Sequence, residues 1–182
     1  MSKGKLVVIS GTSGVGKGTV LGIMMKKCKE LSFSVSATTR APRPGEVEGV
    51  HYYFITKEQF EAMIQRGEFL EYDAHMANYY GTPRAQALEK MEWGSVLLDI
   101  DPNGAKQVKE SAPEALLIFI MPPSLEELER RLRGRGDTPE DQIRLRLERA
   151  IWEMEQHSWY DHVVVNDDAE RCAEEILKII AD

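Results

Sequence analysis

Lys5-Leu6-Val7-Val8-Ile9-Ser10-Gly11-Thr12-Ser13-Gly14-Val15-Gly16-Lys17-Gly18-Thr19 is the stretch whose reading decides the fold. Residues 6–9 form an uninterrupted, β-branched-rich apolar run, the pattern of a strand buried on both faces, and it breaks at once into glycines followed by a helical pattern. Gly11, Gly14 and Gly16 permit positive φ and carry no Cβ. Successive backbone N–H groups of residues 11–19 can therefore curl around an anion at a helix N-terminus, with Lys17 adding a full positive charge. Gly11, four residues, Gly16 and Lys17 have the phosphate-loop spacing, with one departure: Gly18 stands where a Ser or Thr hydroxyl usually meets magnesium. The nearest hydroxyl is Thr19. The plainer alternative, an ordinary strand-to-helix turn, is opposed by the strand before the glycines and the helix after them.

Outward from this loop, 182 residues suffice for one sizeable core with inserted segments but not for two full domains. The 42% apolar and 29% charged content is that of an ordinary globular protein. A net charge of −7 argues against a general nucleic-acid or anionic-membrane binder, so any polyanion must be met by local positive clusters. Cys28 and Cys172 form neither a metal pair nor a disulfide framework, and His51, His75, His157 and His162 show no ligand spacing. The apolar segment behind Lys3 and Lys5 is too short for a signal peptide and no run approaches a membrane span, which makes the cytoplasm the expected location.

The first helix is expected to turn Val20, Ile23, Met24 and Leu31 to the core. Phe33 to Thr39 reads as a second strand running into the basic, proline-stiffened loop Arg40-Ala41-Pro42-Arg43-Pro44-Gly45. Two guanidinium groups on such a backbone suit a phosphate clamp, because each can give two parallel hydrogen bonds. From Val50 to Tyr80 the chain turns aromatic and β-like, around a helix opened by a capping box at Thr56 and Gln59. Strand, helix, strand, strand reads as a small insert. Thr82-Pro83 reads as the N-cap and first residue of the next helix.

Ser95 to Asp101 and Ala115 to Met121 are apolar strands that resume a parallel core. Ligands bind beyond the carboxyl ends of such strands, which places Asp99 and Asp101 near bound nucleotide, and Asp99 follows its apolar run as the magnesium-associated acid of phosphate-loop enzymes does. Ser124 and Glu127 read as a second capping box. The helix they open ends in Arg130, Arg131, Arg133 and Arg135, whose mutual repulsion a polyphosphate would relieve. With Gly134 and Gly136 as hinges, and a helix from Pro139 that turns Ile143, Leu147, Ala150, Ile151 and Met154 inward and leaves Arg146 and Arg149 elsewhere, this reads as a mobile basic lid. Val163 to Val165 is a last strand, and Asn166-Asp167-Asp168 caps the final helix.

Gly11 to Thr19, Phe33-Ser34-Val35-Ser36 leading to Arg40 and Arg43, Asn78-Tyr79-Tyr80-Gly81, Leu98-Asp99-Ile100-Asp101, Gly134-Arg135-Gly136 and Val165-Asn166-Asp167-Asp168 together resemble guanylate kinase, in order and over nearly the whole chain. The fold class implied is α/β: a parallel-sheet core of residues 1–32, 84–126 and 147–182, a GMP-binding α+β insert of 33–83, and an arginine-rich helical lid of 127–146. The resemblance implies transfer of the γ-phosphoryl of ATP to GMP with Mg²⁺. It implies further that Ser36, Arg40, Arg43, Tyr52, Glu71, Tyr80, Thr82 and Asp101 contact GMP. Lys17, Arg135 and Arg146 would hold the ATP phosphates, Asn166 would lie near adenine and Asp99 near the metal, with Thr19 a second candidate.

Physical chemistry supports that implication. A phosphate monoester has a second pKa of about 6, so the attacking oxygen of GMP is largely unprotonated at neutral pH and no general base is needed. The difficulty lies in bringing two polyanions together in line, which Lys17, Arg135, Arg40, Arg43 and Arg146 would serve as catalytic charges. Glu71 can accept from both N1–H and the N2 amine of guanine while a Thr82 or Ser36 hydroxyl donates to O6; adenine offers the wrong edge. Two other functions fit parts of the pattern: a non-catalytic phosphopeptide-binding module, which would have no use for Lys17 and the arginine lid, and a kinase for another phosphorylated acceptor. A GTP-dependent switch is opposed by the lack of an Asn-Lys-x-Asp motif.

Overall fold

The computed structural model describes residues 4–75, 77–134 and 139–182. In chain order its elements are β1 (Leu6–Gly11), α1 (Lys17–Lys27), β2 (Leu31–Phe33), β3 (Ala37–Thr38), β4 (Tyr53–Phe54), α2 (Lys57–Gln65), β5 (Phe69–His75), β6 (Asn78–Pro83) and α3 (Arg84–Lys90). There follow β7 (Ser95–Asp99), α4 (Pro102–Ser111), β8 (Leu116–Met121), α5 (Leu125–Arg133), α6 (Glu140–Glu155), a short 3₁₀ turn, β9 (His162–Val165) and α7 (Ala169–Ala181).

Five strands form a parallel sheet in the order β2-β7-β1-β8-β9. Every residue of β1 is buried, as its apolar run predicts, and its alternate side chains enter two different cores. Val7 and Ile9 pack with Val20, Met24 and Ile176 of α1 and α7. Leu6 and Val8 pack on the opposite face with Ala87, Val108 and Phe119, under α3 and α4. A sheet covered on both faces is what permits such continuous apolar strands, and it leaves the strands' carboxyl ends as the open edge.

Four further strands, β4-β3-β6-β5, form a mixed second sheet between β2 and β7 in the chain. Its own small core stacks Phe60 of α2 between Phe69 and Tyr79, with ring centroids 4.4 and 5.1 Å apart. The capping box is present as read: the Thr56 hydroxyl accepts from the Gln59 N–H, and the Gln59 side chain accepts from the Thr56 N–H. A register shift between Phe69 and Glu71 marks a bulge that sends Phe69 to the small core and Leu70 to the large one.

Several expectations are corrected. The single strand expected from Phe33 to Thr39 is two, β2 and β3, in different sheets, because the chain leaves one sheet for the other at residues 34–36. Leu31 opens β2, and α1 buries Val20, Leu21 and Met24. Thr82 and Pro83 lie in β6, so α3 begins one residue later without a side-chain cap. Only half of the second capping box forms: Ser124 accepts from the Glu127 N–H, while the Glu127 carboxylate takes Arg130 and Arg131. The arginine repulsion is thus met by carboxylates of the chain itself, Arg133 pairing with Glu129 and Glu140. The inward face of α6 is rotated, with Ile143, Ala150 and Glu153 buried and Ile151 43% exposed. Arg135, Gly136 and Thr138 lie outside the described residues.

Candidate active site

The loop between β1 and α1 builds the site. Gly14 and Gly16 hold φ of 86° and 91°, the left-handed region that favours glycine, whereas Gly11 needs its missing Cβ for a different reason. It ends β1 with no positive φ, and a Cβ there would sit 2.9 Å from the Ile120 carbonyl. Gly16 is the N-cap of α1 and has no side-chain cap, so the first N–H groups of the helix remain free for an anion.

Outside the loop, Asn166 and Arg131 fix its conformation. The buried Asn166 amide donates to the Val15 carbonyl at 2.7 Å; Arg131 donates to the same carbonyl and to that of Asn166. Glu153 accepts from the Ser13 N–H at 3.1 Å although it is only 4% exposed. Sequence reasoning missed Glu153, which sits inside an apolar helical stripe, and it missed the structural part of Arg131. The one local signal was the departure of Glu153 from the apolar face of α6.

The loop faces a cavity of about 650 Å³ lined by its glycines, Thr12, Ser13, Lys17 and Thr19 on one side and Asp101, Arg146, Arg149 and Glu153 on the other. The Thr12 hydroxyl, buried here, has no hydrogen-bond partner among the described residues. Lys17 forms an ion pair with Asp99, at the carboxyl end of β7. Asp101 has two engagements: it caps α4 through the Gly104 N–H at 2.9 Å and receives Arg149 at 3.3 Å. A second cavity of about 610 Å³ shares Asp101 and Arg149 with the first and adds Asp73, Tyr80, Asn103 and Trp152. Arg149, which helical periodicity left off the core face of α6, and Trp152, which the sequence reading did not single out, thus both line a cavity.

Beyond the second cavity stands a buried acid. Glu71 is 8% exposed and accepts from the Thr82 hydroxyl at 2.5 Å. Burial raises its pKa above the ordinary value, opposed by the Thr82 hydrogen bond and aided by the charge of Asp101. Arg40 is held bidentately by Glu46, at 2.7 and 3.0 Å, over the ring of Tyr52, 5.4 Å from its centroid. The guanidinium of Arg40 holds the Glu46 carboxyl well below its usual range, at about 2. Glu46 also accepts from the Arg43 N–H, while the Arg43 side chain is exposed. Tyr52 and Tyr80 meet edge to face at 6.1 Å, and the half-buried Ser36 receives the Tyr53 N–H on its carbonyl. Arg40, Arg43, Ser36 and Tyr52 line neither cavity, and Asn166 lies behind the loop.

An open helix N-terminus with a lysine, at the carboxyl edge of a parallel sheet and beside an acid ending the adjacent strand, places the chain in the class of phosphate-loop nucleotide-binding proteins. Residues 3–182 match the family described as guanylate kinase. A guanylate kinase of Trichormus variabilis is 51% identical over 96% of this chain and 88% of its own, and one of Clostridioides difficile is 50% identical over 100% and 89%. The crystal structure of guanylate kinase from Anaplasma phagocytophilum superposes with a TM-score of 0.72 at 36% identity, covering 99% of this chain and 86% of that one. This chain belongs to the guanylate kinase family.

Proposed function

We infer that the chain is an ATP:GMP phosphotransferase. One GMP phosphate oxygen bonds to the γ-phosphorus of ATP as the bond from that phosphorus to the β-bridging oxygen breaks; ADP leaves with the electron pair, and GDP is formed. The observation that carries this reading is the pair of cavities meeting at Asp101 and Arg149, one walled by the phosphate loop and the other lined by Asp101 and Asp73, whose charges act on the buried, guanine-complementary Glu71.

In this reading the free N–H groups at the start of α1 and Lys17 bind the donor phosphates, and Arg146 faces them across the cavity. Arg135, by its resemblance, joins Arg146 on the ATP phosphates. Arg40, oriented by Glu46, and Arg43 bind the phosphate of GMP, with Tyr52 and Tyr80 beside it. Ser36, Glu71, Thr82 and Asp101 read its base, and Asn166 flanks the adenine side. Residues 33–83 serve as the acceptor-binding insert, 127–146 as the lid, and 1–32, 84–126 and 147–182 as the core. Closure of insert and lid excludes water that would otherwise hydrolyse ATP.

The residues present fit magnesium carried in with ATP. Among the described residues no group of three or more His, Cys, Asp or Glu could hold a metal alone, and the space a side chain at Gly18 would fill is open. Magnesium takes most of its ligands from phosphate and water, so Asp99, with Thr19 nearby, suffices on the protein's side. When bound with ATP it neutralises charge on the transferring phosphate. No helix among the described residues is long and apolar enough to cross a membrane; the proposed location of the reaction is the cytoplasm. A coupled ADP-release assay with ATP and each nucleoside monophosphate in turn tests the function. GMP should be the strongly preferred acceptor, and equal rates with AMP would refute the assignment.

A further inference from the structure

We propose that Arg149 is a positioning residue that couples occupancy of the second cavity to the anion-binding state of the phosphate loop, through Asp101 on one side and Glu153 on the other. The inference rests on reading the second cavity as the acceptor site.

Among the described residues only Asp101 and Arg149 line both cavities. Arg149 reaches Asp101 with Nη2 at 3.3 Å and Glu153 with Nε at 3.0 Å, so a single planar guanidinium ties the two acids together. Each acid continues to a backbone N–H with its other oxygen: Glu153 Oε2 accepts from Ser13 in the phosphate loop, and Asp101 Oδ1 accepts from Gly104 in the first turn of α4. The unbroken sequence of contacts is Ser13 N–H, Glu153, Arg149, Asp101, Gly104 N–H. Its far end lies against Glu71, whose Oε2 is 3.2 Å from where a Cβ on Gly104 would stand. Acceptor contacts that move Asp101 or α4 therefore bear on the loop's own N–H groups.

Charge explains why such a link is needed. Glu153 is a buried carboxylate beside a loop shaped for polyanions, and alone it would oppose the donor phosphates. Arg149 offsets that charge, and it stands half in solvent where a phosphate entering either cavity competes for its donors. Donor and acceptor thus act on one cation. The i,i+4 spacing of α6 sets Arg149 on Glu153, and its side chain, 58% exposed, leaves donors open to both cavities.

Calorimetry with Mg²⁺ and the β,γ-imido analogue of ATP, with and without saturating GMP, tests the link. For the wild type GMP should tighten the analogue at least about 5-fold. Arg149→Met, which keeps the aliphatic stem, should reduce this to below about 2-fold. Glu153→Gln, which keeps an acceptor for the Ser13 N–H but loses the charge holding Arg149, should do the same, and the double variant should match either single variant. Cooperative melting curves confirm folding, and Glu153→Gln decides the matter if Arg149→Met does not fold. Retained tightening in a folded single variant, or losses that add in the double, overturns the proposal. A wild type that phosphorylates GMP but shows no tightening overturns it while leaving the function intact; a wild type that does not phosphorylate GMP overturns both.

Discussion

The Thr82 hydroxyl donates to the Glu71 carboxylate across 2.5 Å, with both residues buried and directly opposite one another on antiparallel strands. Only the bulge at the start of β5 makes this register possible. Phe69 faces Pro83 and Glu71 faces Thr82, so Leu70 is the extra residue on its strand, and Thr82 is turned to hold the acid.

Burial makes the pH dependence of Glu71 testable. Its raised pKa means the folded protein holds this proton more tightly than the unfolded chain does, so its contribution to stability is full below the ordinary value of 4.5 and is lost as pH rises through the raised one. Glu71→Gln removes that loss, and its melting temperature relative to wild type should climb with pH above 4.5. In the proposed reading GMP needs the ionised acid, so wild-type GMP affinity should rise over the same interval, a component absent in the variant. At neutral pH Glu71→Gln should lower kcat/KM for GMP by at least about 30-fold, near 2 kcal/mol for a truncated buried charge contact. Unchanged GMP kinetics would mean that Glu71 does not read the base.

Lys17→Met should lower kcat by about 10³-fold or more, since the charge that follows the transferring phosphoryl is lost while the loop backbone stays. Its partner Asp99 is 43% exposed and can be solvated, so stability should change by no more than about 1 kcal/mol. Near-native turnover in a folded variant would refute the donor-site role.

Glu46 holds both arms of Arg40 and the Arg43 N–H together. Glu46→Ala should raise the KM for GMP about 5-fold or more and leave the KM for ATP within twofold, because a guanidinium freed from its fork loses preorganisation for phosphate. An equal effect on both substrates would show a general loss of structure.

What was legible in the sequence was what local chemistry dictates. Apolar runs gave β1, β7 and β8, the glycine spacing gave the loop, and Thr56 with Gln59 and Asp168 marked helix starts. What was not legible depends on distant partners. Ser34-Val35-Ser36 continues a strand-like alternation with no glycine or proline to mark the change of sheet, and the bulge at Leu70 exists because two cores compete for neighbouring residues. Glu153 occupies a buried helical position because the Ser13 N–H, 140 residues away, needs an acceptor. No window along the chain contains that information.

Asn166 offers the sharpest separation of structural from functional roles. Its amide and the Arg131 guanidinium both draw the Val15 carbonyl to the rear of the phosphate loop. In a trans peptide the C=O and the following N–H point in opposite directions, so holding the Val15 oxygen back turns the Gly16 N–H towards the phosphate cavity, which Gly16 lines. Asn166→Ala removes one of the two donors at a buried site and should destabilise the fold by about 1–3 kcal/mol. If the peptide plane is what matters, the same variant should weaken binding of the imido analogue of ATP about 5-fold or more while GMP binding alone stays within twofold. Asn166→Asp should be at least as harmful to ATP-analogue binding, because a carboxylate cannot donate and would set an oxygen against the Val15 carbonyl. Loss of stability with nucleotide affinity unchanged in both variants would show that Asn166 merely fastens β9 to the core and does not shape the loop.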